Sequence, residues 1–317
     1  MPMIQPKQEI KKLLLNTGLY RFAQLKNQFH VLPYHSVVDN PNPFFPQVSL
    51  SLFEKHMAHL AKNYRVIDFE TLMERIRSKE SIRKCVVITF DDGFLDNLEV
   101  VAPVLKKYNF PATIFLTTDF IDNKTTPWFL KFRFAFQTTK EKILEIDMGD
   151  THFSFSLKTQ GHRLDASNKV MGHLRKLSEQ DRVNLVNQLY EKLGVADFGS
   201  LENLMLNWDQ VRELSNQGVS FGAHTVSHPV LSRISPSQAE QEIRDSKLII
   251  ESNIQKPVTA FAYPFGKCSD YTETLLPVLE KLGFQCAVTT ETHANNPGVH
   301  PFFINRNIPW EMANFGS

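Results

Sequence analysis

The feature that most limits the architecture is a short run, Val86-Val87-Ile88-Thr89-Phe90, which is almost wholly apolar and ends in Asp91-Asp92-Gly93. A strand that is apolar on both faces belongs in a parallel sheet covered on both sides. The flanking pattern agrees, with residues 98–108 reading as a helix and Ala112-Thr113-Ile114-Phe115-Leu116 as the next buried strand. Units of this kind build an α/β barrel or an open α/β sheet. In both, functional groups gather at the carboxyl ends of the strands, where the two aspartates stand. Taken alone, Asp-Asp-Gly is also ordinary helix-cap and turn chemistry.

A second segment changes that balance. His224-Thr225-Val226-Ser227-His228 follows another buried strand, Val219-Ser220-Phe221-Gly222-Ala223. Pro229 disfavours helical geometry at His228, so the two imidazoles are expected in a tight loop at a strand end. Two histidines and one carboxylate form a three-ligand metal set that leaves positions open for water and substrate. The remaining carboxylate is then free to act as a base on the water. This pattern points to a metal-dependent hydrolase.

The strand–helix rhythm holds elsewhere, with helices expected at 51–62, 69–76, 208–217, 236–253 and 271–282 and strands at 258–262 and 284–289. It breaks over residues 123–206, where 143–148 and 152–157 alternate around Gly149-Asp150 as a hairpin and helices follow at 165–177 and 178–193. Because the rhythm then resumes, residues 123–206 are read as an α+β subdomain inserted in a barrel spanning 29–317, preceded by a helical segment, 1–28. That first segment mixes Lys11, Lys12, Arg21 and Lys26 with leucines; it is expected to pack on its own domain, with peripheral contact to a membrane surface as the alternative. Trp128 and Trp208 flank the insert as either a sugar-binding wall or core aromatics, and His56, His59, His293 and His300 are read as surface or packing residues.

Bulk properties narrow the partners. A formal net charge of +1 gives no support for nucleic acid. Cys85, Cys268 and Cys286 show no CxxC spacing, and their odd number suits a reducing compartment. With no secretory signal pattern and no apolar run of bilayer length, a cytoplasmic location is expected.

Thr89-Phe90-Asp91-Asp92-Gly93 and His224-Thr225-Val226-Ser227-His228 resemble the first two motifs of the polysaccharide deacetylases, carbohydrate esterase family 4, built on the NodB homology domain. The resemblance covers residues 29–122 and 207–309 and implies a distorted (β/α)7-type barrel. It implies that Asp92, His224 and His228 bind a divalent metal, most often zinc with cobalt or nickel as alternatives, and that Asp91 is the catalytic base. The family's third motif, Arg-x-Pro-Tyr, is matched only by Ala262-Tyr263-Pro264-Phe265. The Phe265 N–H is the expected oxyanion donor, and Arg306 is the candidate replacement for the missing arginine that orients the base. The general-acid motif Leu-x-x-His is absent near the carboxyl end but present as Leu32-Pro33-Tyr34-His35, similar to the circularly permuted poly-N-acetylglucosamine deacetylases, so His35 is the expected general acid. The resemblance implies removal of N-acetyl groups from amino sugars of a polysaccharide or of a lipid- or nucleotide-linked glycan precursor. Rival readings are a deformylase or cyclic-amide hydrolase of the same fold, and a non-catalytic glycan-binding domain.

Overall fold

The computed structural model describes residues 27–307, so the cationic stretch read above as an N-terminal helix lies, but for its last residues, outside the described part. In chain order the elements are β1 (Phe29–Tyr34), β2 (Ser36–Val38), β3 (Gln47–Ser49), α1 (Leu50–Asn63), β4 (Arg65–Val66), α2 (Phe69–Arg77), β5 (Cys85–Asp92), α3 (Ala102–Tyr108) and β6 (Thr113–Leu116). There follow α4 (Trp128–Thr138), β7 (Ile143–Met148), β8 (Thr151–Ser156), α5 (Gln160–Leu174), α6 (Glu179–Leu193) and α7 (Trp208–Asn216). The last are β9 (Ser220–Ala223), α8 (Pro236–Ile254), β10 (Ala260–Ala262), α9 (Leu276–Lys281) and β11 (Cys286–Val288).

Seven strands form one parallel sheet in the order β1-β5-β6-β9-β10-β11, with β4 pairing the start of β5. All eight residues of β5 are buried, as a strand covered on both faces requires. Its side chains alternate between two cores: Val86, Ile88 and Phe90 join β1, α1, α3, α7 and α8 on one face, while Cys85 and Val87 meet Phe29, Val31, Phe115 and α2 on the other. Gly222 in β9 is required by this packing, because a Cβ there would stand 2.3 Å from the Phe115 ring.

The chain closes the sheet without a regular strand. Ile304 bridges Val288 in parallel, the Asn307 N–H donates to the Val31 carbonyl at 2.8 Å, and the Phe29 N–H donates to Asn295 at 3.2 Å. Residues 295–307 therefore fill the gap between β11 and β1, completing a distorted barrel.

Local signals explain where the helices begin. Ser49 caps α1 and Asp68 caps α2, while Asn207–Gln210 and Ser235–Gln238 form reciprocal capping boxes at α7 and α8. On α1, Phe53, His56, Met57 and Leu60 repeat at helical spacing and are all buried.

Residues 123–206 build a separate core. β7 and β8 pair as an antiparallel hairpin, and Leu144, Ile146 and Met148 alternate inward to meet Phe132, Phe136, Val170, Leu174 and Leu189 from α4, α5 and α6. Phe44 and Phe265 of the barrel touch the same cluster. Among the described residues, no helix is long and apolar enough to cross a membrane.

Candidate active site

Strand register sets the site. Tyr34 pairs with Phe90, so His35, one step past β1, stands level with Asp91. Asp92 pairs with Leu116, which pairs with Ala223, so His224 emerges one step beyond the level of Asp92. Side chains distant in sequence thus meet at the carboxyl ends of neighbouring parallel strands.

Asp92, His224 and His228 are all buried, and their nearest ligand atoms lie within 4.8 Å of one another. Asp92 Oδ1 is 3.7 Å from Nε2 of each histidine. His224 Nδ1 lies 2.7 Å from the Ala262 carbonyl, which can only accept, so Nδ1 carries the proton and Nε2 turns its lone pair toward Asp92. Asp92 Oδ1 itself is buried with no hydrogen-bond partner. Desolvation and the Asp91 charge push the Asp92 carboxyl well above its ordinary range, while desolvation pushes both imidazoles below theirs. A bound cation resolves this conflict, because it favours the ionised carboxylate and the neutral imidazoles together. The donor set therefore fits a divalent metal of borderline softness.

The backbone is strained where it presents these groups. Asp92 (φ 73°), Thr225 (69°), His228 (60°) and Phe265 (60°) all adopt left-handed conformations, a clustering typical of functional sites. The histidine loop is held from outside by Glu242 of α8, whose Oε2 accepts from the Val226 and Ser227 N–H groups at 2.7 and 2.9 Å and whose Oε1 accepts from Ser227 Oγ. Sequence reading missed Glu242, since an acidic residue on an amphipathic helix carries no signal that it serves a distant backbone loop.

Arg306, 1% exposed, donates from Nη1 to Asp91 Oδ1 at 2.7 Å and from Nε to the Thr289 carbonyl at 2.9 Å. Burial alone would raise the Asp91 carboxyl, but Arg306, with His224 and His35, holds it well below the usual carboxylate range. Asp91 is thereby kept ionised. His35 Nε2 stands 3.9 Å from the other Asp91 oxygen, and about a third of its side chain is open to solvent. Desolvation lowers the His35 pKa to about 4; Asp91 opposes that shift, while the Arg306 and His224 charges add to it. The backbone at His35 is clamped by the turn after β5: Asn97 donates to its carbonyl at 2.9 Å, and Asp96 accepts from Ser36 Oγ and the Val37 N–H. No acceptor among the described residues takes the Phe265 N–H, although the Phe265 carbonyl accepts from Thr290 Oγ1 at 2.6 Å.

These groups open into a cavity of about 640 Å³, within the range of ligand sites. The insert contributes Phe129, Leu164 and Met171 to its wall, and the loop before β3 adds Phe44 and Phe45. Neither tryptophan lines it, which corrects the sugar-wall reading. The Trp128 ring carries the Arg182 guanidinium at 3.9 Å, and Trp208, 8% exposed, packs in the barrel core. His56 is buried against the Tyr34 hydroxyl at 3.0 Å, and His300 packs on Phe302 and Phe303.

Comparison with known proteins agrees with this arrangement. The chain is 25% identical over 302 residues to YxkH of Bacillus subtilis (strain 168), which carries a provisional polysaccharide-deacetylase name, covering 93% of this chain and 78% of that one. Its fold matches the Streptococcus pyogenes deacetylase PplD, solved in complex with acetate, at 20% identity and a TM-score of 0.58, covering 90% of this chain and 97% of that one. IcaB from Ammonifex degensii matches at 18% identity and a TM-score of 0.57, covering 89% and 91%. Both likenesses concern the fold, a curled parallel sheet of the NodB type. The profile of the family described as polysaccharide deacetylase matches residues 78–287, a span containing both the aspartate pair and the histidine pair. On that match the chain belongs to the polysaccharide deacetylase family.

Proposed function

We propose that this protein is a metal-dependent deacetylase that hydrolyses N-acetyl groups on amino sugars of a polysaccharide or a glycan precursor. The observation that carries the reading is one buried cluster in which an ionised aspartate, fixed by Arg306, stands beside a three-residue metal-ligand set. Asp92, His224 and His228 would hold the ion. When bound, a divalent metal, zinc foremost with cobalt or nickel as alternatives, polarises the amide carbonyl and acidifies water.

The chain's own groups account for the proton movements. Asp91 takes the proton of the attacking water as its oxygen bonds to the carbonyl carbon. The oxygen of the resulting tetrahedral centre takes up the free Phe265 N–H. The carbon–nitrogen bond then breaks, and His35 delivers a proton to the departing nitrogen, so acetate and a free amine leave. Losing His35 should lower turnover by about 10²–10⁴-fold, the usual span for general acid catalysis.

Elemental analysis of the wild type and of Asp92→Ala and His228→Ala, with acetate release assayed in parallel, tests the reading. One ion per chain, lost from both variants together with acetate release, is the expected result. Metal retained in the variants, or full activity without metal, would overturn it. Formate release from N-formyl compounds in place of acetate would keep the centre and reassign the acyl group.

A further inference from the structure

The cavity holds more positive charge than this chemistry uses. Apart from Asp91 and Asp92 its lining contains no acidic residue, yet Arg133, Arg175 and Lys267 line it in addition to Arg306. Two of the three are already matched. Arg175 is ion-paired with Asp270 and lies over the Phe265 ring at 5.1 Å, and Lys267 stands 3.6 Å from Glu291. Arg133 lies over the Phe132 ring at 6.0 Å but has no carboxylate partner among the described residues. From α4 its Nη1 donates to Ser167 Oγ at 2.7 Å and to Asn168 Oδ1 at 2.6 Å, both neutral acceptors on α5. Its Nε and Nη2 have no acceptor among the described residues, and no carboxylate there forms an ion pair with it.

Holding α4 to α5 needs a hydrogen-bond donor but not a permanent charge. Partial burial of an unmatched cation is unfavourable, and desolvation accordingly draws the Arg133 pKa down. A guanidinium fork with two free nitrogens at a ligand cavity is suited to a planar or tetrahedral oxyanion.

We infer that Arg133 is a specificity-determining residue that binds an anionic substituent, a phosphate or a carboxylate, on the amino sugar acted on at the Asp92–His224–His228 centre. This rests on the deacetylase reading for the neighbouring chemistry, though binding can be measured apart from it. The apolar wall of Phe129, Leu164 and Met171 beside Arg133 would bar water from the pair and strengthen it.

The test is calorimetric titration of the zinc-loaded Asp91→Asn protein with N-acetylglucosamine 1-phosphate, N-acetylmuramic acid and neutral diacetylchitobiose. The charged probes should bind roughly tenfold more tightly than the neutral one, the gain expected of hydrogen bonds to a charged group. Whichever charged probe gains more identifies the substituent as phosphate or carboxylate. Adding Arg133→Gln should erase the preference, Arg133→Lys should keep part of it, and Arg233→Gln, which removes the same charge from the exposed surface, should leave it intact. Equal weakening of all three probes by Arg133→Gln would reduce the residue to a tether between helices and overturn the inference. So would equal affinity of the parent protein for charged and neutral probes. Acetate release by the wild type is scored separately: none from any probe, with the charge preference intact, would refute the deacetylase reading and leave Arg133 as the anion site.

Discussion

At the scale of single residues, the pairing that organises this site is Arg306 with Asp91, 215 positions apart in the chain. The guanidinium both fixes the carboxylate's direction and keeps it ionised inside a buried pocket. Arg306→Gln should therefore lower kcat by about 10²-fold, the usual cost of a misplaced catalytic group, with bound metal unchanged. A parallel loss of metal would instead assign Arg306 to the ligand set's support. The Asp91-Asp92 and His224–His228 motifs were legible because each is contiguous and abuts a strand apolar enough to be placed. Arg306 was reachable only by asking what could replace an absent arginine beside Asp91, and the contact itself was visible only in three dimensions. That both tryptophans take the core alternative rather than the sugar wall has a simpler reason. Trp128 and Phe129 are neighbours on α4, but one residue along a helix turns the side chain by about 100°, so Phe129 meets the cavity and Trp128 does not.

At the scale of elements, α8 and the turn before α3 act as external braces. α8 delivers Glu242 to three donors of the histidine loop, two of them backbone N–H groups, and such a partner leaves no trace in side-chain patterning. Glu242→Ala should weaken divalent-metal binding by about 10–100-fold, the range for supporting groups around a metal, as read by competition with a chelator of known affinity. Undiminished affinity would show that the left-handed backbone at Thr225 and His228 holds its shape unaided. The segment read as a helix over 98–108 opens with a wide turn at Asn97–Val101, and Asn97 reaches from it to the His35 carbonyl. Hydrophobic spacing marks the helix but not this local widening, which often accompanies functional sites.

At the scale of the whole molecule, two cores meet at one cavity. The barrel's carboxyl-end residues form its floor, and residues 123–206 form part of its wall around a hydrophobic cluster that they share with Phe44 and Phe265 of the barrel. Phe136→Ala, in the middle of that cluster, should cost about 3–5 kcal/mol and melt the insert ahead of the barrel, splitting the calorimetric transition in two. A single, lowered transition would mean that the two cores unfold together. The alternation of strand and helix was enough to recognise the barrel. The closing segment 295–307 was not recognisable, because it joins β11 to β1 through a few backbone hydrogen bonds and lacks a strand's periodicity.

That seam has a consequence for how the protein is made. His30 and Asn307 touch across it although 277 positions separate them. A ribosome therefore extrudes β1 long before the residues that cover its outer edge. Throughout that interval the growing polypeptide carries an unpaired strand edge of the kind that recruits other chains. Asp91 meanwhile lacks Arg306, so the covering of that edge and the pairing of the buried carboxylate arrive together, once residues 295–307 have been added.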